Sequence, residues 1–161
     1  MDLSYVQQCY KTKSIFHNVD HDESRLVTVD RLAQWEIEVE KTSVLCKNDE
    51  ETAEHLFLQC SVARTIWGGL FSWIGKQTDV PMIWEQFVQW CIIHGKGKRS
   101  EAQKFKTLLA EGIYGLWMER SSRIFEHKSR NEDQHVKEIA YTTIVRTPSR
   151  WKGNVSHLTV K

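Results

Sequence analysis

Two prolines in 161 residues leave no room for a long proline-rich linker, and no run of about eighteen apolar residues is present of the kind that crosses a membrane. The polar start Met1-Asp2-Leu3-Ser4 is not the opening of a secretory signal. A reducing intracellular compartment is therefore expected, nucleus or cytoplasm being left open, with no membrane partner. Cysteines number only four, Cys9, Cys46, Cys60 and Cys91, and without a signal they read as thiols or metal ligands rather than disulfides. A phosphate-cradling loop is also missing. Gly95-Lys96-Gly97-Lys98-Arg99 has no upstream glycine at the required position and puts Arg99 where a Ser or Thr should follow the lysine.

Net charge is likewise small, +1, but it is unevenly placed: residues 1–95 carry −6 and residues 96–161 carry +7. An acidic and a basic half can present a basic face to nucleic acid or attract each other within one fold. Hydrophobic residues at 40% and charged residues at 27% suit a folded globular chain, whose length allows one domain or a small module leaning on a helical one.

Apolar residues recur at three and four over most of this length, so a mainly α fold is expected. A hydroxyl cap at Thr28 predicts a short helix over 29–35, and the alternation of Ile37 and Val39 with glutamates predicts a short strand after it. Thr52 is placed to cap a helix carrying His55, Leu56 and Phe57. Val62, Ile66, Trp67, Leu70, Phe71 and Ile74 predict a helix over 61–74. Residues 84–94 read as a mostly buried helix, and 95–99 as a hinge. Ser100 is the expected cap of the longest helix, with Phe105, Leu108, Leu109, Ile113, Leu116, Trp117, Ile124 and Phe125 on its inner face. Asn131 with Gln134 predicts the cap of a last helix, which Pro148 ends.

Chemistry concentrates in residues 43–67. Cys46, His55 and Cys60 supply two soft sulfurs and an imidazole, the ingredients of a small structural zinc site. A structural site takes four ligands. Two cysteines separated by two residues open a zinc knuckle, and the residue three before Cys46 is Ser43, a poor donor when protonated. The set is one short, which assigns the fourth corner to water, to Asp49 or Glu50, or leaves it empty. His17 and His21, four apart, read as solvated histidines, and Cys91, between Trp90 and Ile92, as a small hydrophobe. A Cys-His nucleophile would need a positioned base and an oxyanion site, for which the sequence offers nothing.

Several ordered segments carry a resemblance. Residues 25–35 read Arg-Leu-Val-Thr-Val-Asp-Arg-Leu-Ala-Gln-Trp; Glu51-Thr52, His55-Leu56-Phe57, Cys60 and Trp67 follow Cys46 at set distances; residues 113–125 read Ile-Tyr-Gly-Leu-Trp-Met-Glu-Arg-Ser-Ser-Arg-Ile-Phe. In this order they resemble the zinc-binding domain near the C-terminus of plant LINE-type (non-LTR) retrotransposon reverse transcriptases, with Val27 at a proline position and Ser43 at that of the first zinc cysteine. The resemblance implies a small zinc-knuckle-like helical module packed with a helical bundle, with zinc on Cys46, His55 and Cys60. It does not bring polymerase activity, because the paired aspartates of a polymerase palm are missing, and no enzyme is expected.

The expected organisation is a lead-in over 1–24, a zinc-binding-like domain over 25–94, a basic helical part over 95–147 and a tail over 148–161. Arg120, Arg123, His127 and Arg130 fall at three- and four-residue steps, with Lys96, Lys98, Arg99, Lys104 and Lys106 near the start of the same helix. Of these, Arg120, Arg123, Arg130, Lys98 and Arg99 are the candidates for contact with RNA or DNA phosphates, against a solvated helix face in which Glu119 and Glu126 interleave. Trp151, between Arg150 and Lys152, is a candidate for base stacking. Two functions follow: a non-catalytic retrotransposon-derived zinc-finger-like module that binds RNA or DNA through its basic half, or a structural or protein-interaction helical domain with a metal-free site.

Overall fold

The computed structural model describes residues 41–76, 79–97 and 99–147. The helix predicted at 29–35, the strand after it, Cys9, His17, His21, Lys98 and Trp151 lie outside the described residues.

Five helical segments follow a short loop: a π-helical turn at His55–Gln59, then α1 (Ser61–Trp73), α2 (Trp84–Gly95), α3 (Ser100–Phe125) and α4 (Glu132–Arg146). Among the described residues there is no strand, only an isolated antiparallel bridge between Thr42 and Glu50. The mainly α expectation holds, because the three-and-four spacing of apolar residues is satisfied only when helices bury one face against one another.

Local signals end these helices where the sequence predicts. After Trp73 the Gly75 N–H donates to the Ser72 carbonyl (3.0 Å) and the Lys76 N–H to Phe71 (2.8 Å), a Schellman closure that needs the left-handed φ of +67° at Gly75. Asn131 Oδ1 accepts the Gln134 N–H (2.8 Å), so the predicted cap of α4 is real. That of α3 is not: Ser100 is its first residue, Arg99 holds the cap position, and no side chain caps the turn.

α4 packs across α1 and α3, α2 lies along α3, and the π-helical turn seats against α1 and α3. One continuous core results, running from Leu45, Leu56, Phe57 and Cys60 through Trp67, Phe71 and Phe87 to Phe105, Leu116 and Ile139. Its centre is aromatic: Trp67 stacks on Phe71 (5.4 Å between centroids), which meets Trp90 edge-on (5.0 Å). α3 reaches that centre through Gly112, where a Cβ would fall 2.5 Å from the Trp67 ring.

The expectation that 84–94 is mostly buried is corrected. In α2 only Phe87 and Gly95 are buried, while Ile92 and Ile93 are exposed, because the helix sits at the edge of the bundle and offers it one narrow side. Phe125 is also exposed, since it ends α3 beyond the last packed turn.

Candidate metal centre

The loop that carries the first donor is closed on itself. The Thr42–Glu50 bridge and the bond from Glu51 N–H to the Lys41 carbonyl (2.8 Å) tie its ends. Inside, Ser43 N–H donates to Asp49 O and Lys47 N–H to Ser43 O, both at 2.8 Å, while Lys47 turns the chain with φ +58°. This curl leaves Cys46 half-buried, with the backbone N–H groups of Asn48 and Asp49 aimed at its sulfur.

The second and third donors depend on the helix that follows. Thr52 caps as expected, its Oγ1 accepting the His55 N–H (3.0 Å). From there the turn widens, and the Cys60 N–H reaches back five residues to the His55 carbonyl (2.7 Å). In an α-helix, residues five apart point about 140° away from each other, given about 100° per residue. A π-turn of about 4.4 residues narrows that to about 50°. The wide turn thus puts His55 and Cys60 on one side, facing Cys46. Nothing in the residue spacing predicts it.

Cys46 Sγ and His55 Nε2 are 3.3 Å apart, and the donor atoms of Cys46, His55 and Cys60 all lie within 4.8 Å of one another. Tetrahedral zinc, with bonds of about 2.0–2.3 Å, sets its donors about 3.5–3.8 Å apart, so the cluster fits the ion with small adjustments. His55 and Cys60 are buried, and Cys60 sits at the N-cap of α1, where the Val62 and Ala63 N–H groups lie near its sulfur without forming a cap hydrogen bond. Both sulfurs therefore lie near backbone donors that suit a thiolate. Ser43, three before Cys46, is fully buried, and its Oγ has no hydrogen-bond partner.

The two thiols titrate apart. Burial acts to raise Cys46, but N–H bonds from Asn48 and Asp49, then His55 and the nearby Ser43 hydroxyl, outweigh it and hold the thiol at about 7. For Cys60, burial dominates and pushes the thiol up, aided by the charge of Cys46. In metal-free protein, iodoacetamide should modify Cys46 first, its rate reaching half of plateau near pH 7 rather than at about 8.5 for an ordinary thiol, with Cys60 far slower. Peptide mass spectrometry over a pH series reads both rates, and equal rates would contradict this geometry.

The arginines proposed for phosphate contact occupy other places. Arg120 is buried, and its Nε and Nη2 both donate to Glu51 Oε1 (2.9 and 2.7 Å), beneath the metal loop. Arg123 donates to Glu119 Oε1 (2.8 Å) and to the Leu45 carbonyl (2.9 Å), next to Cys46. Arg130 pairs with Glu119 and Glu138. Glu119 itself is buried, which would raise its carboxyl, yet the Arg123 and Arg130 bonds prevail and hold it below the usual range. The expected stripe is thus broken: α3 ends at Phe125, so His127 and Arg130 lie in the turn before α4, while Arg120 and Arg123 on α3 clamp the loop and Arg130 ties the turn to Glu119 and Glu138. Arg99 is exposed at the turn before α3. Glu51 and Glu119, which receive the arginines, carry no local sequence signal of that role.

Residues 5–67 match the family model described as zinc-binding in reverse transcriptase, a stretch of about two fifths of the chain that contains the whole donor cluster. It takes in residues 5–24, which the sequence pattern places in a lead-in. No curated protein and no solved structure matches the chain. No helix among the described residues is long and apolar enough to cross a membrane.

Proposed function

We propose that this chain is a non-catalytic, retrotransposon-derived module whose loop and π-helical turn bind one zinc ion through Cys46, His55 and Cys60. The convergence of those three donor atoms within 4.8 Å carries the reading. The similarity of residues 5–67 to a zinc-binding segment of reverse transcriptases supports it. When bound, zinc supplies folding free energy, on the order of 10 kcal/mol in a complete four-ligand site. Here that energy fastens the loop, already held by Arg120 and Arg123, onto the end of the helical bundle.

Contact with RNA or DNA draws, in this reading, on the exposed Lys96 and Arg99 at the start of α3 rather than on Arg120 and Arg123, whose charges Glu51 and Glu119 already meet. Native mass spectrometry with elemental analysis of the untagged protein tests the zinc reading. One zinc per chain is expected in the unmodified protein, with none in Cys60→Ser. No zinc in the unmodified protein, as purified and after reconstitution, would favour a metal-free structural or protein-interaction domain instead.

A further inference from the structure

The fourth corner of the centre does not go to an acidic residue. Asp49 and Glu50 are both exposed, and neither carboxylate joins Cys46, His55 and Cys60 in the cluster. Ser43 lies beside Cys46 instead. Its side chain is 0% exposed, its hydroxyl lies against Cys46, and the contact falls short of hydrogen-bond geometry, so the oxygen has no partner. A buried hydroxyl without a partner is costly, and a serine in a tight loop ordinarily escapes by bonding the backbone nearby. Ser43 does not, although its own N–H and carbonyl are both used within the loop, by Asp49 and Lys47. The unused lone pairs sit beside the Cys46 sulfur, itself one of the three clustered donor atoms.

We propose that Ser43 Oγ is the fourth donor of the centre, completing a set of two sulfurs, one nitrogen and one oxygen around zinc. This rests on the metal-binding reading above. Two thiolates balance the charge of a divalent cation, so a neutral hydroxyl leaves the buried centre uncharged, where a third thiolate would leave a negative charge to be desolvated. The same hydroxyl is a harder and weaker donor than a thiolate, so the centre holds zinc less tightly than a three-sulfur site and exchanges it more readily.

Cobalt(II) titration followed by visible absorption, beside thermal denaturation of the metal-free proteins, separates the possibilities for the unmodified chain, Ser43→Ala and Ser43→Cys. The unmodified protein is expected to bind one cobalt with tetrahedral ligand-field bands. Metal-free Ser43→Ala should melt at the same temperature or higher, since it loses only an unsatisfied hydroxyl, yet bind cobalt about tenfold or more weakly, with altered bands. A purely structural serine would not split the two readouts in this way. Ser43→Cys should gain about half again in sulfur-to-cobalt charge-transfer intensity, as two thiolates become three. An unchanged affinity and spectrum in Ser43→Ala, or no gain in Ser43→Cys, overturns Ser43 as a donor and leaves the three-donor reading standing. Failure of the unmodified protein to bind cobalt or zinc overturns both, even if Ser43→Cys binds.

Discussion

Arg120→Ala is expected to destabilise the protein by about 3–5 kcal/mol, the usual cost of removing one partner from a buried ion pair. The guanidinium donates twice to Glu51, both side chains are almost wholly excluded from solvent, and the group also lies 5.0 Å over the Trp117 ring. Without it the Glu51 carboxylate is left buried beside the loop that carries Cys46. Urea denaturation of the metal-free protein measures the loss. Replacing both partners by apolar residues, Arg120→Met with Glu51→Leu, should recover part of it, because a buried carboxylate is costly to keep once its paired guanidinium is gone. A loss below about 1 kcal/mol for Arg120→Ala, the range of surface pairs, would mean that the pair is solvated and the arginine available for phosphate after all.

A second large effect concerns one substitution made in two helices, with opposite signs. Gly112→Ala places a methyl group 2.5 Å from the Trp67 ring. That ring cannot retreat: it is 1% exposed, its Nε1 donates to the Phe57 carbonyl (2.8 Å), and it stacks on Phe71. Overpacking of this kind costs about 1–3 kcal/mol, which exceeds the helical advantage of alanine over glycine. Gly68→Ala, in the middle of α1, meets nothing within 4 Å and should stabilise by about 0.5–1 kcal/mol through the same helical preference. Thermal unfolding of the two variants reads both signs. Because Trp67 anchors the carbonyl of a residue in the π-helical turn, Gly112→Ala should also loosen the hold on His55. Stabilisation by both alanines would mean that α3 stands farther from α1 than the structure places it.

Much of this architecture was legible in the residues themselves. The apolar spacing in 61–74 and in 100–125 and the Thr52 and Asn131 caps are signals that act over three to six residues, and they gave helices where helices are found. Cys46, His55 and Cys60 were legible as a candidate set too, because few side chains have the softness zinc prefers, and the structure brings their donor atoms within 4.8 Å of one another.

Only the tertiary structure decided what those parts do. An arginine at each helical turn looks the same from the sequence whether it faces water or a carboxylate 69 residues away, and the partner at Glu51 made Arg120 a clamp. His55 and Cys60 stand five positions apart, a step that an ordinary helix turns to different sides, and the wide turn is what brings them together. Ser43 looked like a missing ligand, and only the fold shows that its hydroxyl is buried without a hydrogen-bond partner. The reason is common to all three: local hydrogen bonding and hydrophobic period act between near neighbours, whereas the partner of a charge or a lone pair is chosen by which distant segments the core brings side by side.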